Sequence, residues 1–190
     1  MKNVYTLVFN GLADWEIGLI TYELNTVHRM PVRTVGWNLN PIKTGGGMKV
    51  MPEFTLSEVD PQEMDLLILP GGEMWHRLED ANLAELIHQV YKLGGIVAGI
   101  CAASLYLVKI GMFNSGIKHT SNGLDYLKYY LPDYGLQDYY LDTFAVSDQN
   151  IITARGEAPF EFAYYILKAL DVYDDEILKQ FASVWRCQLW

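Results

Sequence analysis

Short apolar runs alternate along the chain with longer segments whose apolar residues recur at helical spacing. The runs VYTLVF (4–9), VRTVGW (32–37), DLLILP (65–70), IVAGI (96–100) and NIITA (150–154) have the length of strands buried on both faces. Between and after them, five segments predict helices: DWEIGLITYELNTV (14–27), NLAELIHQVYKLG (82–94), AASLYLVKIG (102–111), EAPFEFAYYILKAL (157–170) and DDEILKQFASVW (174–185). In the first of these, Trp15, Leu19, Tyr22 and Val27 mark the helical spacing. TGGGMKVMPEF (44–54) predicts a Gly-rich turn with short extended pieces, as in a hairpin. Gly94 and Gly95 stop one helix, and Pro70, Gly71 and Gly72 end the DLLIL strand.

Strand followed by helix, repeated, predicts an α/β fold: a mostly parallel sheet with helices on both faces. In such sheets, sites form beyond the C-terminal ends of the strands. Three turns are expected at that edge: residues 10–16, residues 70–76 and the turn at Cys101.

Composition narrows the chemistry. The chain has 190 residues, half of them apolar, which suits a single domain over 1–190 with a substantial core. No apolar run is long enough for a membrane span, and the N-terminal stretch reads as a first strand, not a leader peptide. A net charge of −9 argues against a nucleic-acid surface. The two cysteines, Cys101 and Cys187, lie far apart without CxxC spacing, so a disulfide framework is not expected and a reducing cytoplasm fits. Four scattered histidines suggest no metal site, and TGGGMK (44–49) lacks phosphate-loop spacing. No cofactor is expected.

Cys101 sits between a strand and a helix, flanked by Gly99, Ala102 and Ala103. A nucleophile on such a turn stands exposed at the sheet edge, near the positive end of the following helix. That position can lower a thiol's pKa and supplies a backbone N–H for an oxyanion. The alternative is a small buried residue that happens to carry sulfur. The amides of Gly71 or Gly72 could supply a second oxyanion donor, or the glycines could simply turn the chain. Glu16, early in the first helix, could manage a proton, or could answer the helix dipole.

Four stretches resemble the ThiJ/PfpI superfamily: GLADWE (11–16), DLLILPGG (65–72), GGIVAGICAAS (94–104) and IITARGEAPFEFAYYILKAL (151–170). They occur in the family's order and spacing. The resemblance implies a flavodoxin-like three-layer sandwich with a nucleophile elbow at Cys101. It implies that protonated Glu16 hydrogen-bonds the Cys101 thiolate, that the Gly72 and Ala102 amides form the oxyanion pocket, and that Arg155 lies near the site or a dimer contact. It also implies a homodimer.

The departures limit what carries over. Family proteases place His directly after the nucleophile, where this chain has Ala102. Many members end a T-[ST]-H stretch in His, and the aligned position here is Asn122. His119 lies three residues earlier, a spacing that would turn it to the opposite face of a strand. His76 follows the LPGG turn and could reach the cleft, although an exposed loop position is the simpler expectation. Trp75 could wall the pocket or pack on the next helix. Cys187 reads as a packing residue. Val184, Trp185, Leu189 and Trp190 give the tail an apolar character suited to docking.

The leading expectation is a cysteine-dependent hydrolase or lyase acting on a small reactive electrophile, with Cys101 as nucleophile. The alternatives are a cysteine redox or stress sensor without turnover, and a binding module with a vestigial site.

Overall fold

A computed structural model describes residues 2–187. In chain order the elements are β1 (Val4–Leu7), α1 (Asp14–Tyr22), β2 (Val32–Gly36), β3 (Ile42–Lys43), β4 (Lys49–Val50), β5 (Phe54–Thr55), β6 (Leu66–Leu69), α2 (Ala81–Lys92), β7 (Ile96–Ile100), α3 (Ala102–Lys109), α4 (Leu124–Tyr130), β8 (Ala145–Asp148), β9 (Ile151–Ala154), α5 (Pro159–Ala169) and α6 (Asp175–Val184).

Seven strands form one sheet in the order β5-β2-β1-β6-β7-β9-β8. All neighbouring pairs are parallel except β8 with β9. Every residue of β1, β6, β7 and β9 is buried, which is why these strands read as unbroken apolar runs. The chain steps one way from β1 through α1 to β2, and the other way from β6 through α2 to β7. Right-handed crossovers therefore put α1 and α2 on opposite faces of the sheet. The direction reverses between β1 and β6, so the turns after these strands open side by side. α5 packs against α1, α6 and the β7–β9 side of the sheet.

The hairpin of β3 and β4 clamps the turn that leads into α1. Thr44 Oγ1 donates to Asp14 Oδ2 at 2.6 Å, and Gly45 N–H donates to Leu12 O at 2.7 Å. The start of α1, and with it Glu16, is held from outside as well as from the sheet.

Three features differ from the sequence reading. α1 buries Glu16, Ile17 and Ile20, while Trp15, Tyr22 and Val27 stand outward at 60%, 57% and 46% exposure. The helix is apolar around most of its circumference, so spacing alone does not select the inward face. Its last expected turn is wound wider, as a π-helical stretch over Glu23–Val27. The elements α4, β5 and β8 were not expected. β5 has only two residues, β8 (AVSD) mixes polar and apolar positions at the sheet edge, and α4 (LDYLKYY) is short and largely exposed.

Near the C-terminus, Trp185 stacks on Phe160 at 5.1 Å between ring centroids, while Val184 is exposed. Cys187 packs partly against the core, and its N–H donates to Ala182 O. Leu189 and Trp190 lie outside the described residues.

Candidate active site

The site is built where β1, β6 and β7 end. β7 delivers Cys101, whose N–H donates to Ala154 O at 2.9 Å, continuing the ladder with β9 to its last bond. The chain then reverses sharply. Cys101 has φ 58° and ψ −128°, a conformation that non-glycine residues avoid and that costs on the order of 1–3 kcal/mol. α3 starts at the next residue, and Ser104 braces the elbow: its hydroxyl donates to the carbonyl of Cys101 and is hydrogen-bonded to Ser121 Oγ at 2.8 Å.

α1 carries Glu16 underneath this elbow. Its side chain is 1% exposed. Oε2 accepts from Gly71 N–H at 2.7 Å, and the carboxyl also hydrogen-bonds Cys101. Burial raises the Glu16 pKa to about 7, with the Gly71 and Cys101 hydrogen bonds pulling against that rise. Near neutral pH the carboxyl therefore gains or loses its proton beside the sulfur.

The thiol responds to the same surroundings. Burial first, and then the negative charge of Glu16, push the Cys101 thiol up to about 11, while the Asn122 amide and the Ala102 N–H favour the thiolate. This corrects the expectation that the start of α3 would by itself lower the thiol. The helix end is outweighed by desolvation and by the carboxylate. Thiolate character depends on the thiol proton passing to the Glu16 carboxylate, because the charge repulsion then vanishes and the carboxyl becomes a donor to sulfur.

The loop from 119 to 122 supplies the next contact. Thr120 N–H donates to Thr153 Oγ1 at 2.9 Å on β9, and Ser121 is tied to Ser104. Held at both points, the loop turns Asn122 toward the thiol, with Nδ2 3.3 Å from Cys101 Sγ. The other end of this amide is fixed by Gly156, whose N–H donates to Asn122 Oδ1 at 2.9 Å.

Two glycines make room. A Cβ on Gly71 would collide with the Glu16 carboxyl and come to 2.7 Å from Cys101 Cβ. A Cβ on Gly156 would stand 2.9 Å from Cys101 Sγ. The sequence reading missed Gly156. Its signal is the RGEAP segment after β9, from which the resemblance implies a place near the site for Arg155 alone.

The remaining residues sort by position. Gly71 cannot be the free oxyanion donor, because its N–H is engaged by Glu16. Gly72 follows it at φ 154°, with Phe9 against the place a Cβ would fill. Trp75 does not line the cleft. It is fully buried, donates from Nε1 to Pro70 O at 2.7 Å, and packs on Phe9 and Tyr106, supporting the LPGG turn from below. His76 is half-buried, not an exposed loop residue: its ring stacks on Tyr130, and Nε2 hydrogen-bonds Tyr126 OH at 2.9 Å. His119 is fully buried and turned away, with Nδ1 and Nε2 meeting Ile117 O and Tyr134 OH and its ring stacked on Phe113. Desolvation lowers its pKa, favouring the neutral ring.

A cleft of about 680 Å³ opens beside Asn122, lined among others by Tyr126, Tyr140, Asp142 and Arg155. Arg155 pairs with Asp142 and lies 3.8 Å from Glu157. Among the described residues, no three His, Cys, Asp or Glu side chains are grouped to hold a metal, and no helix is long and apolar enough to cross a membrane.

Comparisons with known proteins agree with this architecture. The chain is 38% identical over 194 aligned residues to the uncharacterized protease YoaZ of Bacillus subtilis, covering 98% of this chain and 92% of that protein. It is 28% identical to the glutathione-independent glyoxalase DJR-1.2 of Caenorhabditis elegans, over 80% of each chain. The crystal structure of a thiJ/pfpI family protein from Bacillus anthracis superposes with a TM-score of 0.88 at 40% identity, covering 95% of this chain and 89% of that one. The sequence profile of the DJ-1/PfpI family matches residues 2–169. With its parallel sheet, its elbow cysteine and this match across most of its length, the chain belongs to the DJ-1/PfpI family.

Proposed function

We propose that this protein is a cysteine-dependent enzyme acting on a small reactive carbonyl compound. One observation carries the reading: Cys101 is held in a strained elbow in contact with a buried carboxyl whose pKa is raised to about 7. Glu16 takes the thiol proton as the sulfur attacks, and the amides of Gly72 and Ala102 hold the developing oxyanion. The glyoxalase name of one relative supports an α-oxoaldehyde as the first substrate class to try. The protease name of another supports amide hydrolysis less well here. An amine leaving group needs a strong acid beside the nucleophile, and the other side chain hydrogen-bonded to the thiol is Asn122, an amide. The test is turnover of methylglyoxal by the purified chain and by Cys101→Ser. Turnover that survives in the serine variant would remove Cys101 from the reaction.

The contact between Glu16 and the sulfur also favours a second reading, a peroxide sensor. A protonated carboxyl at that position hydrogen-bonds a sulfinate. Oxidation of Cys101 at low peroxide, with no turnover of any carbonyl compound, would select it.

The homodimer implied by the resemblance has a surface available. Trp15 and Tyr22 of α1 stand outward, and Met48 and Met51 beside the β3–β4 hairpin are also exposed. Sedimentation of the native chain against Trp15→Glu tests this surface.

A further inference from the structure

We propose that Tyr126, backed by His76, is the acid that protonates the carbonyl oxygen of a substrate attacked by Cys101. This rests on the reading of Cys101 as a nucleophile. The carbonyl oxygen must receive a proton once the sulfur has added, and the groups touching the thiol do not provide one easily. Asn122 is an amide, and Glu16 is turned toward Gly71 and the sulfur. Of the other groups on the cleft, Arg155 and Asp142 are committed to each other. Tyr126 lines the same cleft, beside Asn122. Its phenol senses the charges of Cys101 and Glu16 and contacts the Asn122 amide. Burial pushes the phenol up, so it stays protonated as a donor.

Behind the phenol stands a group that can replace the proton. His76 Nε2 lies 2.9 Å from Tyr126 OH, and stacking on Tyr130 at 4.3 Å between centroids holds the ring in line. An imidazole has two ring nitrogens, so it can give a proton from one while the other takes one up. The step balances as follows. Cys101 sulfur bonds the carbonyl carbon, and its proton passes to Glu16. The π pair moves to oxygen, which takes the Tyr126 proton. Tyr126 is refilled from His76, and His76 from solvent. The product is a neutral hemithioacetal on Cys101.

Two electrophiles separate this role from a structural one, in a Cys187→Ser background that leaves Cys101 as the one thiol. Methylglyoxal addition leaves an oxygen that needs a proton. Iodoacetamide alkylation expels iodide and needs none. Addition is followed by rapid quench with methyl methanethiosulfonate and intact mass. Tyr126→Phe is expected to slow methylglyoxal addition at least ~tenfold and to change alkylation by less than ~twofold. His76→Gln, which keeps a hydrogen bond to the phenol but cannot pass a proton on, carries the same test from the other end of the pair. Unchanged addition in both variants, or equal slowing with both reagents, overturns the inference. Addition without turnover in the parent protein overturns the enzyme reading alone, and no addition at all overturns both.

Discussion

The loop from 119 to 122 has a buried polar cluster at each end, and the two clusters are built on opposite principles. At one end His119 is fully enclosed, with both ring nitrogens hydrogen-bonded, one face stacked on Phe113 and Tyr134 set nearly perpendicular to it. At the other end Asn122 meets Cys101, which Glu16 also touches; there the backbone is strained, the carboxyl is pushed up to about 7 and two glycines leave room around the sulfur. A satisfied buried polar group stabilises the fold. A strained, desolvated pair stores free energy that chemistry can use. Histidine is the residue usually associated with catalysis, yet here the buried histidine is held by hydrogen bonds on both ring nitrogens and the proposed chemistry falls to the acid–cysteine pair.

The largest expected effect breaks the comparison at the sulfur. Cys101→Ser should lower turnover of an active carbonyl substrate by roughly a thousandfold or more, with the fold intact by circular dichroism. Next comes the other end of the loop. His119→Ala should cost about 3 kcal/mol in urea unfolding, from the cavity and the unpaired Tyr134 hydroxyl, yet retain most of its activity per folded molecule. An inactive but stable His119→Ala would merge the two clusters into one site.

Glu16→Gln sharpens the contrast through pH. The folded-state pKa of Glu16 is raised from 4.5 to about 7, so the protein favours the protonated carboxyl. Relative to Glu16→Gln, the native chain should lose stability as pH rises from 4.5 through 7. The loss is on the order of 3 kcal/mol above that range, at about 1.4 kcal/mol per pH unit. Parallel stability curves from pH 4 to pH 9 would show that the carboxyl is not destabilised by burial. The same substitution removes a charge that holds the thiol up, so the alkylation midpoint of Cys101 should fall from about 11 toward the ordinary thiol value of ~8.5. Gly156→Ala should have the smallest effect on stability, but should slow alkylation and turnover roughly tenfold, because its methyl would crowd Sγ.

The site was partly legible because its chemistry is carried by turns with their own local signals. Cys101 between small residues, Gly-Gly after DLLILP and an acidic residue after the first strand each mark a strand end. What could not be read was which donor faces which acceptor. Gly71 and Gly72 are adjacent and chemically alike, and only the packing of α1 against the end of β6 commits Gly71 to Glu16. His76 looked like a loop residue because the helix that covers it, α4, was not anticipated. α4 is seven residues long, and its Tyr126 and Tyr130 meet a ring some fifty positions earlier in the chain.

By itself, the sequence determined the alternation of buried strands and helices, the three turns at one sheet edge, the likeness to the ThiJ/PfpI superfamily and the identities of Cys101 and Glu16. The alternation and the turns follow from local apolar spacing and turn chemistry, which act over a few residues, and the likeness rests on four motif stretches in the family's order. The tertiary structure alone decided the inward face of α1, the burial of Trp75 and the pairing of His76 with Tyr126. It also decided the direction in which Cys101 and Glu16 titrate. Burial and charge proximity are set by segments far apart in the chain, and a pKa answers to the sum of those surroundings rather than to neighbours in sequence.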